Sequence, residues 1–128
     1  MSYKVFRMKI RSFTHLDAWK IGHELVIEIY KATDHFPKHE RYGLIDQLRR
    51  AVVSITSNVA EGFYKRTSAD KNRFYTISIG SVAELQNQLL IARDLHYFND
   101  VIFRQFAEKT ARVHKLLNGL LKSSQTKS

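Results

Sequence analysis

Residues 43–62 read GLIDQLRRAVVSITSNVAEG, and the way this stretch lies on a helix decides the fold. At ~100° per residue, Gln47, Arg50, Ser54, Asn58 and Glu61 fall on one narrow polar stripe. Leu44, Leu48, Ala51, Val52, Ile55, Val59 and Phe63 form a broad apolar face beside it, which Val53, Thr56 and Ala60 extend further round the cylinder. The apolar arc covers roughly 200°, about twice the ~100° that packing onto one core requires. A helix with so wide an apolar surface is expected to be buried on two sides, against its own fold and against a second surface. That expectation points to assembly rather than to a reaction.

Working outward, three further segments carry helical periodicity. The first spans residues 16–33, with Leu16, Trp19, His23, Val26 and Tyr30 on one stripe and Gly22, Leu25 and Ile29 alongside. Thr14 followed by Asp17 has the form of a capping box at its start. Pro37, the only proline, marks the turn into the central helix at residues 40–64. Thr67 or Ser68 can cap a third helix running to residue 95, with Phe74, Ile77, Ser78, Ser81, Leu85, Leu89 and Ala92 directed inward. Asn99 can cap a fourth, in which Phe103, Phe106, Thr110, Val113, Leu117 and Leu120 keep a 3,4 spacing. Strand-like alternation occurs only at residues 3–10.

Four helices joined by short turns predict an all-α, up-down-up-down antiparallel four-helix bundle. A chain of 128 residues suits a single domain, divided into a basic N-terminal arm at 1–13, the bundle at 14–122 and a fraying Ser/Lys/Gln tail at 123–128.

The net charge of +9 is unevenly spread. Residues 1–15 hold Lys4, Arg7, Lys9 and Arg11 and no acid, residues 16–103 are neutral overall, and residues 104–128 hold six bases against Glu108 alone. Basic ends around a neutral middle suit a phosphate-bearing partner, with solubility as the plainer explanation of the same charge. The candidate nucleic-acid contacts are Lys4, Arg7, Lys9, Arg11, Lys65, Arg66, Arg104, Lys109, Arg112 and Lys115. Lys71 and Arg73 add to the turn cluster, and Tyr3, Phe6, Phe63 and Tyr64 interleave with bases at positions suited either to stacking on unpaired nucleobases or to ordinary packing. No recognised DNA- or RNA-binding motif is present, so contact is expected to be mainly with phosphate and shape.

Enzyme chemistry finds little support. The chain has no cysteine, which removes thiolate chemistry and Cys-based metal sites and fits a reducing cytoplasm, the expected location. None of the six histidines follows a glutamate by three residues, as the paired Glu-x-x-His motifs of di-iron bundles require. His35 and His39, with Asp34 and Glu40, straddle Pro37 and read as a solvated turn rather than a metal site. The five glycines are scattered, so no phosphate-cradling loop exists, and no serine sits on a nucleophile elbow. No cofactor, signal peptide or membrane span is expected.

The polar stripe of the central helix reads as a structural network. Gln47, Arg50, Ser54, Asn58 and Glu61 face possible partners Glu84, Gln88 and Ser81 on the third helix. A buried arginine paired with a carboxylate and closed by Ser and Asn would fix helix register, a reading favoured over a ligand site on the same residues.

These residues also carry a family resemblance. Phe13-x2-Leu16-x2-Trp19, Glu24-Leu25, Ile29-Tyr30 and Phe36-Pro37-x2-Glu40-x-Tyr42-Gly43-Leu44 lead into Gln47-Leu48-Arg49-Arg50-Ala51. Ser54-Ile55-x2-Asn58-Val59-Ala60-Glu61-Gly62 and Gly80-Ser81-x2-Glu84-Leu85 complete a pattern that resembles the S23, or 23S rRNA intervening-sequence, proteins over residues 13–121. Gly22 stands where that family often has alanine, a departure that implies a slightly looser first helix. The resemblance implies a bundle assembling as a homopentamer, with genes often lying in insertions within 23S rRNA genes. It also implies kinship with accessory proteins of diversity-generating retroelements, which form basic pentamers that bind nucleic acid and a reverse transcriptase. No catalytic residues come with it. With the resemblance in view, the expectation is a non-enzymatic, oligomeric nucleic-acid-associated protein, its target rRNA-related RNA rather than DNA, held through phosphate contacts from the basic ends; the alternative is a protein-interaction scaffold or accessory subunit with a protein partner, whose charge serves solubility.

Overall fold

The computed structural model describes residues 12–126; the strand-like segment at 3–10 and most of the N-terminal arm lie outside them. Four helices, α1 (Asp17–Thr33), α2 (Leu44–Phe63), α3 (Ser68–Asp94) and α4 (Asp100–Thr126), are preceded or linked by short 3-10 turns at Phe13–His15 and Lys38–Glu40. Each helix packs on the next, and α4 returns to pack on α1, so the up-down-up-down bundle closes on itself. No strand occurs among the described residues.

The core is aliphatic. Leu25 and Ile29 of α1, Leu48, Val52, Ile55 and Val59 of α2, Val82, Leu85 and Leu89 of α3, and Val113 and Leu117 of α4 are all essentially without solvent contact. Burying each of these side chains stabilises the fold by about 1.5–3 kcal/mol. The 3,4 spacing along every helix brings them to one interior axis.

The width of the apolar arc on α2 now has a different explanation. α2 lies between α1 and α3 and packs on both, so its own chain covers Leu44, Ile45, Leu48, Ala51, Val52, Ile55, Thr56 and Val59. Of the residues extending the arc, Val53 alone remains substantially exposed, at 38 %. A helix with two flanking neighbours needs an arc about twice as wide as a helix with one, so the breadth of the arc by itself does not require another subunit.

Caps fix the helix ends, partly at unexpected places. Ser12, not Thr14, caps the N-terminal turn, accepting from the Thr14 N–H at 3.2 Å, and α1 follows with Leu16 at its N-cap and no side-chain cap. α2 begins four residues after its expected start, because residues 38–40 turn as 3-10 and the Glu40 carboxylate accepts the Leu44 N–H at 3.1 Å. Thr67 caps α3 by accepting from the Asp70 N–H, and Asn99 caps α4 by accepting from the Ile102 N–H. α3 ends in a Schellman motif: His96 adopts φ 62°, its N–H reaches the Arg93 carbonyl, and the Tyr97 N–H reaches that of Ala92.

Two further expectations change. α4 does not end at Lys122 but continues to Thr126, where Ser124 is buried and its carbonyl accepts the Ser68 hydroxyl at 2.8 Å. Gly22 is buried in the α1–α2 contact, where a Cβ would sit 2.9 Å from Thr56 Cγ2. The missing side chain therefore tightens this helix pair rather than loosening it.

Candidate nucleic-acid interface

Antiparallel helices sort the turns to two poles. At one, the turn at Phe13–His15, the α2–α3 connection and the C-terminus of α4 meet. Phe13 lies edge-to-face with Tyr64 at 6.1 Å, and the Ser68–Ser124 hydrogen bond ties the start of α3 to the end of α4. At the other, Phe36 packs on Tyr97 at 5.0 Å, and the Tyr97 hydroxyl donates to Glu40 Oε2 at 2.7 Å, tying the α1–α2 turn to the α3–α4 turn.

The poles differ in chemistry. The first gathers Lys65 and Arg66, both exposed in the α2–α3 connection, with Lys71 and Arg73 on the opening turns of α3. Lys71 Nζ donates to the terminal α2 carbonyls of Phe63, at 2.6 Å, and Gly62, at 3.3 Å, where a cation also suits the helix dipole. Lys65 and Arg73 both lie over the Phe74 ring. The chain bearing Lys4, Arg7, Lys9 and Arg11 joins at this pole, through Ser12; those four residues lie outside the described range.

The second pole is mixed in charge. Arg49 reaches Asp34 at 3.0 Å, Arg93 reaches Asp94 at 2.9 Å, and Glu40 is a carboxylate engaged twice over. The hydrogen bond from Tyr97, then that from the Leu44 N–H, holds the Glu40 carboxyl below its ordinary range.

The bases of α4 differ in their surroundings. Arg104 lies on the first turns of the helix, toward the mixed pole, and Arg112 and Lys115 lie two to three turns further toward the basic pole; all three are exposed. Lys109 is engaged with α1, donating to Glu28 at 2.8 Å and Glu24 at 3.0 Å. The bond to Glu28, against the opposing effect of burial and with help from Glu24, raises its ammonium above the ordinary value. It borders an open groove between α1 and α4 that Lys31, His35, Gln105 and Phe106 also line.

The polar stripe of α2 assembles in part. Ser54 Oγ and Ser81 Oγ are 2.7 Å apart, and Asn58 Nδ2 donates to the Ser54 carbonyl at 2.8 Å and to its hydroxyl at 3.1 Å. The buried arginine–glutamate pair expected with them does not form within the chain. Arg50 has an 81 % exposed side chain and pairs with Asp46 one turn back on its own helix, while Gln47, Glu61 and Glu84 are exposed. Side-chain length separates them: Ser54 and Asn58 are short enough to stay in the seam with α3, whereas the longer side chains of Gln47, Arg50 and Glu61 extend into water.

The arginine that does lock two helices is Arg49. Its Nε donates to Thr33 Oγ1 at 2.9 Å, its Nη2 to the Tyr30 carbonyl at 3.2 Å and to Asp34, and its guanidinium lies 4.5 Å from the Tyr30 ring centroid. Sequence reasoning passes over it because the second arginine of the Arg49-Arg50 pair, not the first, continues the polar stripe. Ser78 is a second such residue: buried on α3, it donates to the Ile55 carbonyl of α2 at 2.8 Å.

Among the described residues, no group of three or more His, Asp or Glu side chains is placed to hold a metal ion, and no helix is long and apolar enough to cross a membrane. His35 and His39 are exposed on either side of Pro37.

Fold and surface thus define a closed antiparallel bundle with one basic, aromatic pole. The chain belongs to the 23S rRNA-intervening sequence protein family, whose pattern it matches over residues 14–119. Among solved structures it is similar to a protein of unknown function from the S23 ribosomal protein family of Bacteroides thetaiotaomicron. That likeness has a TM-score of 0.75 at 17 % identity and covers 82 % of this chain and 95 % of the other, so it speaks to the fold. No curated protein matched the chain.

Proposed function

We propose that this protein is a non-enzymatic, homo-oligomeric RNA-binding protein of the cytoplasm, which holds RNA through phosphate contacts at the basic pole. The observation that carries this reading is the convergence of Lys65, Arg66 and the point of entry of the basic arm at one end of the bundle. Lys65, Arg66 and Arg73 are exposed together there, and summed charge of one sign attracts a polyanion. Arg112 and Lys115 extend the same field along α4. The family's name refers to 23S rRNA, which supports RNA over DNA as the partner.

Self-association is the second part of the reading. The monomer leaves Val53, Ile77, Leu90 and Ile91 exposed on the outer surfaces of α2 and α3, Leu90 on the side of α3 that borders α4. Covering them with further copies removes apolar surface from water and sets several basic poles together. The resemblance noted from the sequence favours five copies, which multiplies the +9 of one chain to about +45 and converts weak phosphate contacts into avid ones.

The test is RNA affinity measured across a salt series, with the mass of the protein determined in parallel. The reading requires a complex heavier than one chain and affinity that falls steeply between low and moderate salt. A monomer, or affinity for RNA that is flat with salt, overturns it.

A further inference from the structure

Five rings form a continuous row at the basic pole. Phe63 lies 4.9 Å from Tyr64, Tyr64 lies 6.1 Å from Phe13, Phe13 lies 5.4 Å from Trp19, and Trp19 stacks on His23 at 4.6 Å with 12° between planes. The first three pairs are edge-to-face, so each ring braces the next. Phe13, Trp19 and Phe63 are half-buried and have an evident packing role.

Packing does not account for the two exposed members. Tyr64 is 61 % exposed although two rings stand perpendicular to it, and His23 is exposed although it stacks flat on Trp19. A ring held rigidly and left in water is costly to leave uncovered and inexpensive to stack upon, because its side-chain freedom is already gone. Lys65 and Arg66 follow Tyr64 directly in the chain, and Lys71 Nζ lies 5.6 Å from the ring centroid of Phe63, so the row is bordered by cations. Aromatic faces set next to cations are the combination that grips a single strand, the rings taking bases and the cations taking phosphates.

We infer that this row is a stacking platform for the unpaired bases of single-stranded RNA, with Tyr64 and His23 as its open positions. The inference rests on the RNA-binding reading and narrows it. A duplex keeps its base faces within its own stack and offers the pole only phosphate and shape, whereas a single strand offers both phosphate and base. The platform therefore discriminates strandedness, and the cations alone do not.

The experiment compares a mixed-sequence RNA oligonucleotide, its abasic counterpart of equal length and a duplex of the same length, titrated against the wild-type protein and Tyr64→Leu at two salt concentrations. The single strand binds the wild type more tightly than the duplex or the abasic strand. Tyr64→Leu weakens the single strand roughly tenfold, while duplex affinity and the salt slope stay unchanged. Emission of Trp19, the only tryptophan, changes with the base-bearing strand and not with the abasic one. Equal, salt-dependent affinity for all three oligonucleotides overturns the platform and leaves RNA binding standing; loss of binding to every oligonucleotide overturns both. His23→Leu, at the other open position, supplies a second variant should Tyr64→Leu fail to fold, and the abasic comparison needs no variant at all.

Discussion

Gly22 of α1 faces Thr56 of α2 so closely that a methyl group in place of its hydrogen would lie 2.9 Å from Thr56 Cγ2, with Ile55 Cγ2 next at 3.6 Å. Alanine in a helix interior is favoured over glycine by about 0.5–1 kcal/mol, whereas overpacking a tight contact costs about 1–3 kcal/mol. Thr56 cannot rotate away without losing its hydroxyl bond to the Val53 carbonyl, at 3.1 Å. Gly22→Ala is therefore expected to destabilise the bundle by about 1 kcal/mol. Adding Thr56→Ser, which removes the clashing methyl and keeps the hydroxyl, should reverse the sign, as thermal melts of the single and double variants will reveal.

Two members of the polar stripe should respond differently to truncation. Ser54→Ala removes the bond to Ser81 and one of the two accepted from Asn58, but Ser81 keeps the Ile77 carbonyl and Asn58 keeps the carbonyl of residue 54. A loss of about 0.5–1 kcal/mol is expected. Arg50→Ala breaks an exposed pair within one helix and should change the stability of the monomeric fold by less than about 0.5 kcal/mol. Chemical denaturation of both variants separates them; equal losses would mean that Arg50 contributes to the fold in a way the chain alone does not display.

The architecture is legible because every helix carries its period and its punctuation. Pro37, Thr67 and Asn99 mark real boundaries, and the apolar faces of α2 and α4 are those that form the core. What stays illegible depends on partners distant in sequence. Glu40 caps α2 with one oxygen and holds Tyr97, 57 residues away, with the other, so no local pattern announces it. The same holds for the candidate interface. Lys65 and Lys109 are alike as sequence, but α1 brings Glu24 and Glu28 to Lys109, and Lys65 stays exposed over the Phe74 ring. The wide arc of α2 does signify two-sided burial, but the sequence cannot distinguish two neighbours in one chain from one neighbour in another.

The Glu40–Tyr97 clasp sets an acid-sensitive element at the mixed pole. Its bonds from Tyr97 and the Leu44 N–H lower the Glu40 carboxyl in the folded state relative to its ordinary 4.5. A lowered folded-state value means that the contribution is complete above that ordinary value and is lost as pH falls below it, through the folded-state value. Stability measured from pH 6 down to about 3 should decline more steeply in the wild type than in Tyr97→Phe, in which Glu40 loses its main hydrogen bond. Parallel slopes for the two proteins would exclude the clasp as a source of acid sensitivity.

Lys109 and Lys115 stand on one helix and should have opposite consequences when neutralised. Glu24 and Glu28 already answer the charge of Lys109, so little positive potential is left over for a phosphate. Lys109→Gln is expected to leave the salt dependence of RNA binding unchanged while costing about 0.5–1 kcal/mol of stability, a modest figure because the cluster is partly solvated. Exposed and closer to the basic pole, Lys115 follows the other rule. Lys115→Gln, like Arg112→Gln, should leave the melting temperature unchanged and reduce the log–log salt slope by about 0.7 for each single-strand phosphate that is no longer neutralised. Affinity series at four salt concentrations, set beside thermal melts of the same preparations, resolve the two patterns; a reduced slope for Lys109→Gln would show that its carboxylates release it to bind RNA.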